Sequence, residues 1–177
     1  VSDSDITDTR QFSVSRIQNF LKSKGSLGNL SFSVGGAVKS AAQIIYDVAH
    51  SYSISPKYLV VRMQLEQAVV TASNPSQYQL DWATGYGVCD SCTLEQAGKY
   101  KGFANQVEWG AKGIRRYLDD LDTKGKTISG WEVGKPKATL DNIVVTPDNK
   151  ATAALYTYTP WVGKLGGGRQ DVGGNGL

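Results

Sequence analysis

Histidine, cysteine and methionine are almost missing from this 177-residue chain, which has one, two and one of them respectively. With His50 as the only imidazole and no serine in a nucleophile elbow, a nucleophilic triad is set aside. Cys89, Cys92 and His50 offer three potential zinc ligands with no fourth at a sensible spacing, so no metal is expected. No glycine-rich phosphate loop joins a strand to a helix, which removes nucleotide chemistry, and no cofactor is expected. Apolar runs long enough to span a bilayer are absent. The formal net charge of +3 is small and evenly spread, which argues against nucleic acid as a partner.

What is present suits an ordinary globular protein: 40% hydrophobic and 20% charged residues in a length that supports one full core. The mild basicity is compatible with residence near an anionic polymer such as a bacterial cell wall. Few cysteines, a single Met63 and a polar start without an initiator methionine fit a processed, extracytoplasmic protein.

Periodicity gives helix after helix. Residues 1–11 read as a loose lead-in. Ser13 caps a helix with Val14, Ile17, Phe20 and Leu21 on its apolar face, ended by Gly25. Ser26 to Gly36 reads as a loop, and a second helix is predicted from Val38 to Tyr52. Ser55-Pro56 opens a third, and Asn74-Pro75 breaks or restarts the chain. A structured, glycine-rich turn covers 84–92, and Thr93 caps a short helix. Phe103, Val107, Ala111, Ile114, Leu118 and Leu121 mark the clearest amphipathic helix. A small hairpin is expected around 128–133, and Thr146-Pro147 opens a last helix stopped by Thr159-Pro160. Residues 163–177 form a glycine-rich tail. One mainly α domain over 1–177, with a small irregular or β insertion, is the economical reading.

The third helix holds the most informative residue. Tyr58-Leu59-Val60-Val61-Arg62-Met63-Gln64-Leu65-Glu66 carries apolar side chains around nearly the whole wheel, the pattern of an element buried on most sides. A carboxylate there is costly unless something uses or pairs it. Burial beside Leu59, Met63 and Val70 would raise its pKa and keep it protonated, which a general acid needs to protonate a poorly basic glycosidic oxygen. The plainer alternative is an ion pair with Arg62 on a solvated face. With other chemistries set aside, carboxylates plus aromatics point to glycosidic-bond cleavage.

Three ordered blocks carry a family resemblance. Ser55-Pro56-Lys57 to Glu66-Gln67 resembles the catalytic-helix motif of bacterial cell-wall enzymes of the lysozyme superfamily, the lytic transglycosylase and glucosaminidase-like group. Gly85-Tyr86-Gly87 stands where that group has a glycine-led cleft turn. Ala153-Ala154-Leu155-Tyr156-Thr157-Tyr158 resembles its helical Ala-Tyr-Asn segment. Gln67 replaces a commoner Ser, the second block lacks its usual Met-Gln pair, and Thr157 stands in place of Asn. The resemblance implies a lysozyme-like helical fold with a substrate groove between two lobes. It also implies cleavage of β-1,4 bonds in peptidoglycan glycan strands by a secreted or envelope-associated monomer. Glu66 is then the general acid, with Gln67, Trp82, Gly85, Tyr86, Asp90, Tyr156 and Tyr158 as substrate contacts.

Several points stay open on the sequence alone. Asp81 or Asp90 is the best second carboxylate, a nucleophile if about 5 Å from the acid and a water-activating base if farther off. Lytic transglycosylases need none. Either aspartate is equally an ordinary turn residue. Trp82 is a sugar platform or a core residue, Trp109 falls off the apolar stripe of its helix and belongs to the groove or to a lobe contact, and Trp131 is a substrate-gripping aromatic or a loop anchor, with the anchor slightly favoured. Cys89 and Cys92 suit a local disulfide, because no thioredoxin-like context surrounds them. The rival function is a cell-wall glycan-binding module that keeps the fold without the chemistry.

Overall fold

The computed structural model describes residues 1–87 and 94–162. These are mainly helical, with two small two-stranded sheets. The chain forms two compact units, Asp8–Lys112 and Val1–Thr7 with Gly113 onward.

In the first unit, α2 (Val14–Lys24) starts where Ser13 accepts the Arg16 amide and ends at Gly25, whose N–H returns to the Leu21 carbonyl. Ile17 and Leu21 are buried, but Phe20 is 39% exposed and not a core residue. Instead of a loop, Ser31–Val34 (β1) and Ala37–Ser40 (β2) pair antiparallel, with Val34 opposite Ala37. Gly35 and Gly36 both have positive φ, the requirement of a two-residue hairpin turn whose twist matches its strands. The following helix, α3 (Ala41–Ser51), therefore begins three residues later than its apolar pattern suggests, with Ser40 capping the Gln43 amide. It packs on α2 and on α4 (Pro56–Gln67), burying Ala41, Ala42, Ile45, Ala49, Leu59 and Met63. Asn74-Pro75 does restart the chain: Ser76 and Gln79 form a reciprocal capping box on α5 (Gln77–Asp81). After α6 (Leu94–Ala97), the long α7 (Phe103–Lys124) runs across the unit boundary. All six of its stripe residues, from Phe103 to Leu121, are buried.

In the second unit the lead-in is not loose. Asp3–Thr7 (α1) packs on α8 (Lys150–Tyr158), with Ile6 buried and the Asp3 carboxylate accepting the Ala151 amide at 2.7 Å. One apolar side chain and one helix-terminal acceptor fix a segment whose composition reads as polar tail. Asn149, not Thr146-Pro147, caps α8 through the Thr152 amide. The small sheet lies later than expected, with Lys137–Ala138 (β3) paired to Val144–Val145 (β4). Residues 127–131 instead make a turn in which the Thr127 hydroxyl accepts the Trp131 amide at 3.2 Å. Trp131 is buried and stacks on Tyr156 with centroids 4.9 Å apart.

Asp141 ties this unit together at its last described residues. The Thr139 hydroxyl at 2.5 Å lowers its carboxyl pKa most, burial pushes the other way, and the Val162 amide at 3.1 Å adds to the lowering. A depressed folded pKa means the tie is complete above the ordinary value of 3.8 and lost as pH falls through the folded one. Protection of the Val162 amide against hydrogen exchange, corrected for intrinsic rate, is expected to persist at the ordinary carboxyl value of 3.8 and to fall as pH drops below it. Unchanged protection on that descent would disprove the tie.

Candidate functional site

The end of α4 is locked from several sides. Arg62 is buried and its Nε donates to the Thr84 carbonyl at 3.1 Å, with Nη1 3.4 Å from the Tyr58 hydroxyl and the Gly110 carbonyl. The guanidinium thus joins α4 to the 82–87 turn and to α7, and does not stand on a solvated face. Beyond Glu66 the helix stops at Ala68, whose φ of 51° is left-handed and whose N–H returns to the Gln64 carbonyl. The Gln67 carbonyl accepts Gln79 Nε2 at 2.8 Å, and Gln64 Oε1 accepts the Thr71 amide at 3.1 Å.

Glu66 itself is exposed. Burial against Leu59, Met63 and Val70 is corrected here: those three are core, but the last turn of α4 emerges from it, with Leu65 49% exposed. The wheel misleads because α4 buries only Pro56, Tyr58, Leu59, Arg62 and Met63, while Lys57 and Leu65 face solvent.

The second block meets the first at this point. Gly85 closes a turn onto the Trp82 carbonyl at 2.8 Å and has φ +65°. A Cβ built on Gly85 would stand 2.6 Å from Glu66 Oε2 and 3.1 Å from its Cδ. The carboxyl group therefore lies directly against the glycine backbone, in space that only glycine leaves open. Two motifs 19 residues apart in sequence (66 and 85) share one surface point.

Gln106, which the sequence reading missed, holds that turn in place. It is fully buried. Its Oε1 accepts the Thr84 and Tyr86 amides at 3.2 and 3.1 Å, and its Nε2 donates to the Tyr86 and Tyr100 carbonyls at 3.0 and 2.8 Å. The Thr84 hydroxyl donates to the Gln106 carbonyl at 2.7 Å. A polar residue at an inward position of a strongly amphipathic helix was the available signal. Gln106→Leu strands two amides and two carbonyls, so it is expected to cost about 3 kcal/mol or more of stability. A melting temperature equal to wild type would contradict this role.

Aromatic rings crowd the same turn. Tyr86 is half-buried and its ring stacks on Trp109 at 5.6 Å, while Tyr100 meets both rings edge-on at 5.1 and 5.0 Å. Lys112 Nζ sits 4.3 Å from the Trp109 ring centroid. Trp109 thus has Tyr86 stacked on it and a cation beside it, which makes it a support for Tyr86 and not an open sugar platform. Trp82 is only 4% exposed, which places it in the core and leaves no ring face for a sugar.

Asp81 is buried and bound, with Lys101 Nζ at 3.4 Å and Gln77 Nε2 donating at 3.0 Å. It lines a polar groove of about 580 Å³ formed by β1, α5 and the start of α7. Asp90, Cys89 and Cys92 lie outside the described residues. Among the described residues no three His, Cys, Asp or Glu side chains cluster as a metal site, and no helix is long and apolar enough to cross a membrane.

Tyr156 and Tyr158 belong to the other unit. Tyr156 is buried against Trp131, and burial, followed by the Asp141 charge, pushes its phenol pKa up. Tyr158 is half-buried on the last turn of α8. Thr157, in the position where Asn is typical, places its hydroxyl 2.6 Å from that of Thr127 and 3.0 Å from the Ala153 carbonyl.

A family model described as LasA, N-terminal domain, matches residues 2–129. The chain belongs to the LasA N-terminal domain family. The match to this family takes in Glu66, Gly85, Tyr86, Gln106 and Trp109, and it ends before Trp131, Tyr156 and Tyr158. No curated protein and no solved structure matches the chain.

Proposed function

We propose that the chain is a peptidoglycan-cleaving glycosidase of lysozyme-like type, with Glu66 as the general acid on a β-1,4 bond. The observation that carries this reading is the contact of the Glu66 carboxyl with the Gly85 backbone. It joins the acid of the first block to the glycine of the second, and both lie inside the region matched by the LasA N-terminal domain family. An exposed carboxyl whose helix end and neighbouring turn are both pinned is positioned before substrate arrives, which is where most of the advantage of a bound acid comes from. Water exclusion around it then falls to the glycan laid over the turn, which continues from Gly85 into the half-buried Tyr86.

Glu66 protonates the leaving oxygen as the glycosidic bond breaks. Asp81 is already committed to Lys101 and Gln77, so the simpler route returns the proton to Glu66. In that route the muramyl hydroxyl closes an anhydro ring and gives its proton to the carboxylate. Mass analysis of muropeptides released from purified sacculi tests this. Anhydro ends are expected, and reducing ends would instead assign hydrolysis with a second base.

The exposure of Glu66 favours one other reading, a glycan-binding module without catalysis on an extracytoplasmic protein. A binder retains sacculi in a pull-down, releases nothing, and is insensitive to Glu66→Gln.

A further inference from the structure

We propose that the outer face of α2 and α4 docks onto an anionic lipid bilayer. An apolar groove of about 160 Å³ runs between these helices. Phe12, Ile17 and Phe20 line one side and Pro56, Val60 and Val61 the other, while the exposed Lys57 lends its methylene stem. The apolar surface extends outward through Phe20, 39% exposed. Single exposed apolar residues are ordinary, but Phe20 is continuous with an apolar groove whose lining is almost wholly apolar.

Charge decides the occupant. The α2 sequence VSRIQNFLKSK holds Arg16, Lys22 and Lys24 and no acidic residue. Arg16 lies 5.3 Å from the centroid of the Phe12 ring and Lys24 lies 5.6 Å from that of Phe20, so each groove phenylalanine carries a cation beside it. Apolar side chains flanked by basic heads form the pattern of an interfacial helix, with rings at the acyl boundary and cations among phosphates. A second copy of the chain fits less well, because a two-fold contact through this face would set one basic rim against another. This inference is independent of the glycosidase reading and concerns a different surface.

Co-sedimentation of the full chain with vesicles tests it. Binding is expected to mixed phosphatidylcholine–phosphatidylglycerol vesicles and not to phosphatidylcholine alone, and to weaken as salt shortens the Debye length. Lys24→Glu is expected to lower partitioning at least about fivefold, and Phe20→Ser about tenfold, with melting temperatures near wild type. Absence of binding to the anionic vesicles at low salt would overturn the proposal. So would binding that Phe20→Ser leaves intact, or a wild-type dimer that Phe20→Ser converts to monomer.

Discussion

Glu66→Gln is expected to lower release of muropeptides from sacculi by about 10²–10⁴-fold, the usual worth of a positioned general acid. The substitution keeps the size and the hydrogen-bonding reach of the side chain and removes the ionisable carboxyl, which both gives the proton to the leaving oxygen and takes one back. Because Glu66 is exposed on the last turn of α4, folding stability is expected to stay within about 0.5 kcal/mol of wild type. The pairing of a large kinetic effect with a flat melting curve distinguishes a reacting group from a structural one. A structural carboxylate would lower both together. Substrate retention by the variant is a useful companion measurement, since an acid that acts only in the transition state leaves ground-state binding nearly unchanged.

Gly85→Ala is expected to lower activity about 100-fold, through geometry and not through loss of a reacting group. Its Cβ falls 2.6 Å from Glu66 Oε2, and that oxygen is the far end of a side chain, so the carboxyl is displaced from its place against the turn instead of the backbone yielding. The stability cost is then mainly that of holding an L-residue at φ +65°, about 1–2 kcal/mol. A double-mutant cycle separates the two effects. In a Glu66→Ala background the clash disappears, and Gly85→Ala is expected to cost only the backbone penalty, seen in melting, with no further loss of activity. If Gly85→Ala proves as active as wild type, the contact between the two blocks has no bearing on function.

Much of the helical frame is legible in the sequence because capping and periodicity are local. Ser13, Ser55-Pro56 and the Phe103-to-Leu121 stripe each announce an element from a few neighbouring residues, and each stands where expected. The hairpin at Ser31–Ser40 was also legible, since two glycines between short alternating runs are a turn signal, but Ser and Gly content favoured a loop. Asp3–Thr7 was not legible, because its order depends on α8, more than 140 residues away in sequence.

The site divides along the same line. The resemblance implies a place for Glu66 and Gly85 on one groove, whereas their direct contact is seen only in the structure. The surroundings of Glu66 are not legible either, because the helical wheel of α4 shows which side chains are apolar and not which of them the rest of the chain covers. Val60 and Val61 look like core and instead line an open groove, and Glu66 looks buried and is exposed. Gln106 escaped notice for the opposite reason, as its value lies mainly in backbone groups of the Thr84–Tyr86 turn, 20 or more residues earlier, and of Tyr100. Trp109 likewise gains its place from Tyr86 and Lys112.

Dye-labelled sacculi, incubated with wild-type protein and with Glu66→Gln at equal concentration, address the acid most directly. Steady release of soluble dye by the wild type, with the variant at background, is the predicted result. Equal release by both proteins, or none from either, would contradict a catalytic Glu66.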